Sequence, residues 1–539
     1  MSRTHFWLLG LSSTRKLLSL GLPLGLALTS CGSGNEPGVA TGGTGGAGGG
    51  GGVAVAGSSG GSGAAPPNTA GSGGSAGSGG SAGGAAGSGG AGGAGGSVSG
   101  DGDTFVTGVS VEVHDEVNTI LVVTWTQAVA AENTWLEFTF EAGNVMTSRP
   151  APGVVGPHRD VVLGVPGETE VTVRVVSEQG GVAHVSSDHK GTTLAVPSGM
   201  PEPTVLAYDA ALASDNRWMF GAVEDSDGGC DNQSCFYHTT FWVYIMDRKG
   251  RIVWYYADPV SNATSSFQRI ARDGEYIWIE KRPFNGQSAR GVLKMTLDWQ
   301  YFEEIPVADL ADCIDVTDDG SLLFDANNVL REMTAAGTFR NIWDCREHFG
   351  NGFECYTNTV NWNPLEDTVL LSFPYENTVI EVARQNGAVV GQYGAASDSY
   401  AFSPATWEFG FQHFANITQD GTLMVSSHMP GWDNDNPQPG DHAFMEFEIN
   451  RATETLVEKW IYSTGPEWAL YKGMAIRLPD GNTLANYGTG GVIREITPDK
   501  QTAFHVKFDA DGGNDLYNKM VGHNVLIDDL YALNGGGPE

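Results

Sequence analysis

The chain has 539 residues, 29 of them basic and 63 acidic, which gives a formal net charge of −34. A surface of this sign repels phosphate backbones and anionic headgroups, so nucleic acid is excluded as a partner. Of the 76 glycines, 32 fall within residues 32–100, where Glu36 is the only charged residue and no aromatic residue occurs. That stretch cannot bury a core, so the residues after it must supply the globular part.

Residues 1–31 have the pattern of a secretory signal peptide. A positively charged start precedes the apolar run Leu17–Leu28, which is shorter than the roughly 20 residues that cross a bilayer. The run ends in the sequence LTSC at Cys31, which resembles the lipobox of bacterial lipoproteins, whose cysteine is acylated. The resemblance implies lipid attachment at Cys31 and a lipid-anchored protein of the bacterial cell envelope, periplasmic or at the cell surface. An ordinary cleaved signal peptide is the alternative.

Two further segments precede the C-terminal repeats. Residues 32–103 are predicted to form a disordered Gly/Ser/Ala linker, which would have a reach on the order of 45 Å. Residues 104–198 contain short β-branched and aromatic segments separated by turn residues, among them Thr119–Trp125 and Trp135–Glu141. This pattern favours a small β-sandwich similar to a fibronectin type III module, with Trp125 and Trp135 facing inward.

Residues 199–539 repeat a unit of strand, tight turn and strand. The turns end in Asp-Gly, and Gly274 and Gly481 lie 207 residues and four steps apart, a mean period of about 52 residues. The longer turn Asn363–Asp367 fills the one gap in the series. Four short strands per period are typical of a propeller blade. We therefore predict an all-β chain with a six-bladed β-propeller, closed either by Thr204–Tyr208 or by the C-terminal strands.

The axis of such a propeller is where the inner strands of all blades meet, and it is the expected ligand site. Counting eight residues back from each turn glycine, and allowing for two irregular blades, brings six residues to the axis. They are Ser266, Asp312, Tyr356, His413, Gly473 and His523.

The segment around His413 carries a resemblance. Residues 409–428, FGFQHFANITQDGTLMVSSH, are similar to the central motif of the bacterial aryl sulfotransferases, six-bladed propellers that use aryl sulfate donors. Further similarity, as in DRKGRIVWYY and RLPDGNTLANYG, covers most of residues 205–510. In that family the histidine after the glutamine is the nucleophile that becomes sulfated, and its position falls on His413. The resemblance implies sulfuryl transfer from aryl sulfates to phenols, independent of PAPS and of any other cofactor.

The same resemblance suggests which residues assist His413 and shows where this chain departs from the family's pattern. Asn358 and His523 are expected to assist His413, and four further residues to bind substrate: Tyr356, Asp312, Lys472 and Trp407. Tyr356 stands where the family has a histidine, residues 372–376 lack its arginine, and Asp312 or Cys313 replaces another histidine. These losses favour the alternative of a non-catalytic surface lipoprotein whose propeller binds a ligand or a partner protein. A lyase or hydrolase is a third possibility, but no carboxylate pair of defined spacing supports it.

The cysteines permit two short disulfide loops in an oxidising compartment. Cys230 with Cys235 and Cys345 with Cys355 are the predicted pairs, which leaves Cys313 as a buried, inert thiol.

An acidic loop at residues 432–442 is the stronger of two candidate calcium sites, the weaker being residues 225–231. Asp433, Asp435 and Asp441 place oxygen ligands in it, as calcium requires, but the spacing is not that of an EF-hand. A solvated acidic loop without metal is the preferred interpretation.

Overall fold

The computed structural model describes residues 98–99, 102–224, 241–257, 263–264, 268–270, 275–283, 290–406, 408–432, 440–463, 467–509 and 519–534. Among the predicted lipid-attachment, disulfide, axis, substrate-binding and acidic-loop residues, seven lie outside these ranges: Cys31, Cys230, Cys235, Ser266, Trp407, Asp433 and Asp435. Within them, no helix is long and apolar enough to span a bilayer.

The N-terminal part of the described chain is a two-sheet sandwich, as predicted. One sheet holds Val98–Ser99, Ala131–Glu141, Asn144–Thr147, Ala151–Gly153, Glu170–Gln179, Val182–Val185 and His189–Thr192. The other holds Val106–Val113, Leu121–Gln127 and Gly156–Val162. Trp125 is buried in the core, but Trp135 is only half-buried because the alternation of its strand turns Leu136 and Phe138 inward instead.

Six sheets follow and form the six blades of the predicted propeller. We call the strands of each blade A to D from the axis outward; the inner strands of blades 3 to 6 contact one another in succession. Blade 1 consists of Val525–Ile527, Trp218–Glu224, Phe241–Asp247 and Ile252–Ala257. Blade 2 consists of Ala263–Thr264 with Gln268–Ile270, then Ile277–Pro283, Gly291–Met295 and Phe302–Pro306.

The remaining four blades are continuous in sequence. Blade 3 consists of Leu310–Val316, Leu322–Ala326, Val329–Met333 and Phe339–Asp344. Blade 4 consists of Thr359–Asn363, Thr368–Phe373, Thr378–Ala383 and Val389–Gly394. Blade 5 consists of Gly410–Ile417, Leu423–His428, His442–Asn450 and Thr455–Tyr462, with Ala401–Ser403 added outside strand D. Blade 6 consists of Gly473–Arg477, Thr483–Tyr487, Val492–Ile496 and Thr502–Lys507.

Both segments predicted as alternative closures take part in closing the ring. The C-terminal Val525–Ile527 is strand A of blade 1, where it pairs with Trp218–Glu224. Thr204–Tyr208 pairs with strand D of blade 6 as a fifth, outermost strand. The two ends of the repeat region are therefore each hydrogen-bonded to a blade at the opposite end of the sequence.

The propeller has two chemically different ends. Because neighbouring strands are antiparallel, the A–B and C–D turns lie at one end, which we call the turn end. The D–A and B–C connections lie at the other, which we call the loop end. The Asp-Gly turns at Gly320, Gly421 and Gly481 all join strand A to strand B and so belong to the turn end.

At the turn end, ion pairs across four interfaces link five blades in sequence. Strand C of blades 3, 4, 5 and 6 carries a buried glutamate that meets an arginine of another blade. The pairs are Glu332 with Arg384, Glu381 with Arg451, Glu446 with Arg477, and Glu495 with Arg248. Each arginine belongs to the adjoining blade, with Arg248 of blade 1 completing the series.

The sandwich also packs on the turn end, over blades 1 and 2. Thr119 donates to the carbonyl oxygen of Val253, and Arg159 pairs with Asp298 at 2.9 Å. The Tyr531 hydroxyl, just after strand A of blade 1, bonds the backbone of Val161. Hydrophobic residues of the sandwich and of these blades share one continuous core. The sandwich is thus a fixed part of the propeller's turn end.

The loop end contains the one described α-helix, Cys345–Phe349, between blades 3 and 4. Asp344 caps its N-terminus by accepting from the backbone N–H groups of Arg346 and Glu347. Cys345 and Cys355 form a disulfide, which confirms that predicted pair, and Cys313 is buried as expected.

Short 3-10 turns occur in several parts of the chain, at Gly102–Thr104, Pro374–Glu376, Gly488–Gly490 and Leu530–Leu533.

Candidate functional site

His413 lies on a distorted inner strand. Strand A of blade 5 pairs with strand B through Gly410, His413 and Asn416, and the register shifts both before and after His413. Phe411 and Phe414 take left-handed φ values of 47° and 52° at these shifts. A bulky residue in this region is a genuine outlier, and such strain tends to occur at functional sites.

Side chains of blade 4 hold this strained backbone in place. Asn377 Oδ1 accepts from the Phe411 N–H at 2.7 Å, and Thr359 Oγ1 accepts from the Phe414 N–H at 2.9 Å. Asn358 donates its amide to the carbonyl of Gln412 at 2.9 Å. Hydrogen bonds to another blade therefore replace the ladder bonds that the two register shifts remove.

The glutamine before His413 is a structural residue. Gln412 Nε2 donates to the Ser372 hydroxyl at 3.0 Å and to the Thr378 carbonyl at 3.0 Å, and its side chain is fully buried. It anchors the inner strand of blade 5 to blade 4. This role explains why glutamine precedes the histidine without any contact to a substrate.

The imidazole of His413 is held in a defined state. Its Nδ1 lies 3.1 Å from the carbonyl oxygen of Phe411, which can only accept, so we assign the proton to Nδ1 and the lone pair to Nε2. Burial, followed by the neighbouring His428 and Lys472, lowers the pKa of His413 to about 3. The ring is therefore neutral near pH 7, which is the nucleophilic form of histidine.

A buried lysine accompanies His413. Lys472 immediately precedes strand A of blade 6 and is 7 % exposed, with a left-handed φ of 64°. Its charge contributes to the lowered pKa of His413, so the two side chains lie close enough to interact. The structure thus brings together two of the residues that the sequence predicted.

Two further histidines complete a cluster. We call His413, His428 and His442 the histidine cluster. The rings of His428 and His442 lie 5.6 Å apart, and both side chains are at most 4 % exposed. Burial lowers the pKa of His428 to about 3 and that of His442 well below its usual value. Among the described residues, no group of three or more His, Cys, Asp and Glu is arranged to hold a metal ion.

Gly473 allows blade 6 to approach this cluster. A Cβ atom at Gly473 would lie 2.2 Å from Ser426 Oγ, which bonds His442 Nε2 at 3.1 Å. Any side chain at this position would collide with the Ser426–His442 pair. Gly473 thus lies on the inner strand of blade 6, as predicted, and its role there is to allow close packing.

Aromatic side chains surround Phe411 at the loop end. We call Tyr356, Tyr375, Phe411, Trp432 and Tyr471 the aromatic rim. Ring centroids are 5.7 Å apart for Tyr356 and Tyr375, 5.5 Å for Tyr375 and Phe411, and 5.8 Å for Phe411 and Trp432. Phe411 lies 5.5 Å from the ring of His413, so the rim adjoins the candidate nucleophile. These spacings are those of rings in direct contact, and the exposed Tyr356 and Tyr375 give the rim an aromatic surface that solvent can reach.

The other predicted site residues occupy varied positions. Tyr356 is exposed in the rim, and Asn358 is buried beneath the strand of His413. His523 is buried with its ring 4.4 Å from Phe414, the residue after His413. Asp312 lies on strand A of blade 3, with its side chain outside the described part of the structure.

Several site residues were not identified from the sequence. Tyr375 and Trp432 come from B–C connections, and Tyr471 and Trp468 from the connection into blade 6. Each lies next to a strand end that the repeat analysis had located. Adding the B–C connections to the list of inner-strand residues would have found the first two.

Comparisons with known proteins supply similar folds only. No protein-family model and no curated protein matches the chain. A protein of unknown function from Bacteroides caccae is 12% identical, with a TM-score of 0.37 over 57% of this chain and 99% of its own. A putative 6-phosphogluconolactonase from Bacteroides fragilis is 13% identical, with a TM-score of 0.33 over 72% of this chain and 98% of its own.

A third similar structure is a virginiamycin B lyase from Staphylococcus aureus. It is 12% identical, with a TM-score of 0.25 over 44% of this chain and 72% of its own. Similarity at this level carries no argument about activity. What the site can do has to be argued from its own residues.

Proposed function

We propose that the protein is an aryl sulfotransferase-like enzyme that moves a sulfuryl group from an aryl sulfate to a phenol through a sulfohistidine on His413. The observation that carries the proposal is the state of His413: neutral, buried, and bonded through Nδ1 so that Nε2 carries the lone pair. The strained strand fixes this orientation before a substrate arrives.

The first half-reaction uses the Nε2 lone pair. It attacks the sulfur of the aryl sulfate, the bond between sulfur and the aryl oxygen breaks, and the phenolate leaves with the electron pair. His413 then carries the sulfuryl group on Nε2 and keeps its proton on Nδ1, which donates a hydrogen bond to the Phe411 carbonyl. In the second half-reaction a phenol oxygen attacks the sulfur and gives up its proton to a base, while the bond to Nε2 breaks and its electron pair returns to Nε2.

The charge of the transferring group needs a cation nearby. Lys472 is a buried cation whose charge lowers the pKa of His413. We assign to it the stabilisation of the sulfuryl oxygens, which an arginine and a histidine provide in the aryl sulfotransferases. Tyr356 and Tyr375 stand near the positions of those two residues and offer phenolic hydroxyls and aromatic faces instead. We propose that this rim binds the aryl rings of donor and acceptor.

Burst kinetics test the proposal directly. The full-length chain is mixed with p-nitrophenyl sulfate, and nitrophenolate release is followed before and after phenol is added. We expect a burst of about one nitrophenolate per protein, followed by phenol-dependent turnover. His413→Ala should lose both, whereas His348→Ala, an exposed histidine of the loop-end helix, should keep both. Equal activity of the wild type and His413→Ala would refute the assignment.

A second candidate function is an aromatic-ligand-binding propeller without chemistry. The substitution of tyrosine for cationic residues in the rim favours it, because tyrosines stack on rings but do not neutralise a sulfate. Saturable binding of p-nitrophenyl sulfate without nitrophenolate release, unchanged in His413→Ala, would establish this function in place of the first.

We also propose that the protein is lipid-anchored in the bacterial cell envelope through Cys31. The support is the sequence LTSC after a short apolar run. Metabolic labelling with a palmitate analogue should mark the wild-type chain but not Cys31→Ser. Labelling of both would place the lipid elsewhere, and labelling of neither would leave an ordinary secreted protein.

A further inference from the structure

His428 is a buried histidine to whose ring nitrogens the described residues supply no hydrogen bond. Its side chain is 1 % exposed, and neither Nδ1 nor Nε2 has a partner of acceptable geometry among the described residues. The backbone of Ala469 opposes the effect of burial on the pKa of His428 but does not reach that geometry. Buried polar groups are nearly always bonded, so an exception next to a candidate nucleophile calls for a missing partner.

The surroundings of His428 indicate what that partner is. Three aromatic rings enclose it, with centroids 4.3 Å away for Trp432, 4.6 Å for Trp468 and 5.5 Å for Phe411. Phe411 also contacts His413, so the same ring borders both histidines. A ligand that fits here has an aromatic ring and one hydrogen-bond donor, which is the description of a phenol.

Trp432 is the ring that we expect a phenol to displace. It is only partly buried, whereas Trp468 is 1 % exposed and packed at the base of the site. A phenol that displaced the Trp432 ring would keep the aromatic contacts of His428 and add the hydrogen bond that the imidazole lacks.

We propose that His428 is the general base for the acceptor phenol and that the phenol takes the place of the Trp432 ring between Phe411 and Trp468, an inference that rests on the proposed function. As the phenol oxygen attacks sulfur, its proton passes to the free ring nitrogen of His428, and the electron pair of the breaking bond returns to Nε2 of His413. The proton then leaves to water.

The test separates the two half-reactions in His428→Gln. With p-nitrophenyl sulfate, whose leaving group needs no proton, the burst should stay within about threefold of the wild type. Turnover with p-cresol as acceptor should fall about 100-fold or more, and turnover with the more acidic p-cyanophenol distinctly less. A burst and a turnover that fall in the same proportion, or an equal loss for both acceptors, would overturn the proposal.

A matched variant controls for damage to the fold. His442→Gln removes an imidazole that is just as buried but is already bonded to Ser426. We expect it to lose stability much as His428→Gln does while keeping the wild-type ratio of rates for p-cresol and p-cyanophenol. If His442→Gln changes that ratio as strongly, the effect belongs to the whole cluster and His428 is not the base.

A binding measurement distinguishes this inference from the proposed function. Phenol is titrated against the tryptophan fluorescence of the full-length protein. We expect the wild type to bind phenol saturably and His428→Gln to bind it about tenfold more weakly. This result would support the subsite even if no burst is seen and the transfer chemistry fails. A burst without any phenol-dependent signal would leave the proposed function standing and remove the subsite.

Discussion

The two ends of the propeller are built from the same six sheets but differ in their connections and in the polar groups that they bury. At the turn end, connections are tight, and buried glutamates meet arginines across four blade interfaces. At the loop end, neutral histidines are buried among aromatic rings, and the backbone is strained at Phe411, Phe414 and Lys472. Among the described residues, both ends leave some buried polar atoms without a hydrogen bond, Arg384 Nε and Glu495 Oε2 at the turn end and both ring nitrogens of His428 at the loop end. The difference is that the turn end pairs opposite charges, whereas the loop end buries neutral rings, as the proposed function requires.

As the pH falls, the histidine cluster at the loop end should lower the free energy of unfolding before the turn-end glutamates do. The folded pKa values of the histidine cluster lie below the ordinary value of 6.5, so the unfolded chain takes up protons first as the pH falls. Stability should therefore decline from about pH 6.5 downward, by about 1.4 kcal/mol per pH unit for each titrating histidine. Glu446, whose pKa is lowered, adds a turn-end loss only below about pH 4.5.

Urea unfolding at pH 7.5, 6 and 5 measures this decline. His428→Phe should make the decline shallower by about 1.4 kcal/mol per pH unit below pH 6, since the unfolded chain takes up one proton fewer. His348→Phe, at an exposed site, should leave the slope unchanged. A wild-type stability that is flat between pH 7.5 and 5 would contradict the neutral cluster.

Breaking an ion pair should weaken the turn end without touching activity. Arg477→Met leaves Glu446 buried with only Lys459 at 3.0 Å as a cation, and we expect a loss of about 3 kcal/mol. Thermal unfolding would report the loss, and activity per folded molecule should stay at the wild-type level. A fall in specific activity at a temperature where the variant is folded would show that the ends are coupled.

Two lysines of similar backbone conformation offer a sharper comparison. Lys472 at the loop end and Lys500 in a turn of blade 6 have φ values of 64° and 71°. Glycine relieves this strain but frees the unfolded chain, so both Lys→Gly variants should keep their stability within about 1 kcal/mol. Turnover should drop about 10- to 100-fold only for Lys472→Gly. Equal activity of the two variants would remove Lys472 from the site.

The smallest expected effect is at the edge of the aromatic rim. Tyr375→Leu removes ring contacts to Tyr356 and Phe411, which we expect to raise the KM for an aryl sulfate about 3- to 10-fold, or about 1 kcal/mol. Tyr301→Leu removes a partly exposed aromatic residue from a turn of blade 2 and should leave KM unchanged. An unchanged KM in Tyr375→Leu would exclude this ring from substrate binding.

The turn end could be predicted from the sequence because its signals are local. Asp-Gly turns and strand–turn–strand patterns fixed the number of blades, and both expected closing segments were found in the ring. The glutamates were missed, although Glu332, Glu381, Glu446 and Glu495 recur once per blade. Their arginines come from different turns, so the pairing has no local pattern.

The loop end depends on contacts between distant residues. Phe411 and Phe414 carry no preference for left-handed backbone, and only Asn377 and Thr359 of another blade stabilise it there. The sequence could therefore identify His413 by resemblance but not its strained setting. Nor could it reveal that Asn358 supports the strand, because that bond crosses 54 residues.

The fixed sandwich has a mechanical consequence. Tension on the chain ahead of Val98 would enter through an edge strand of the sandwich and pass into blades 1 and 2 by way of the shared core and the Arg159–Asp298 contact. The same core extends to Phe414 of blade 5 and to Met474 and Phe504 of blade 6, and the chain after the sandwich continues into the outermost strand of blade 6. A pull transmitted along the N-terminal segment would therefore also reach the inner strand that carries His413.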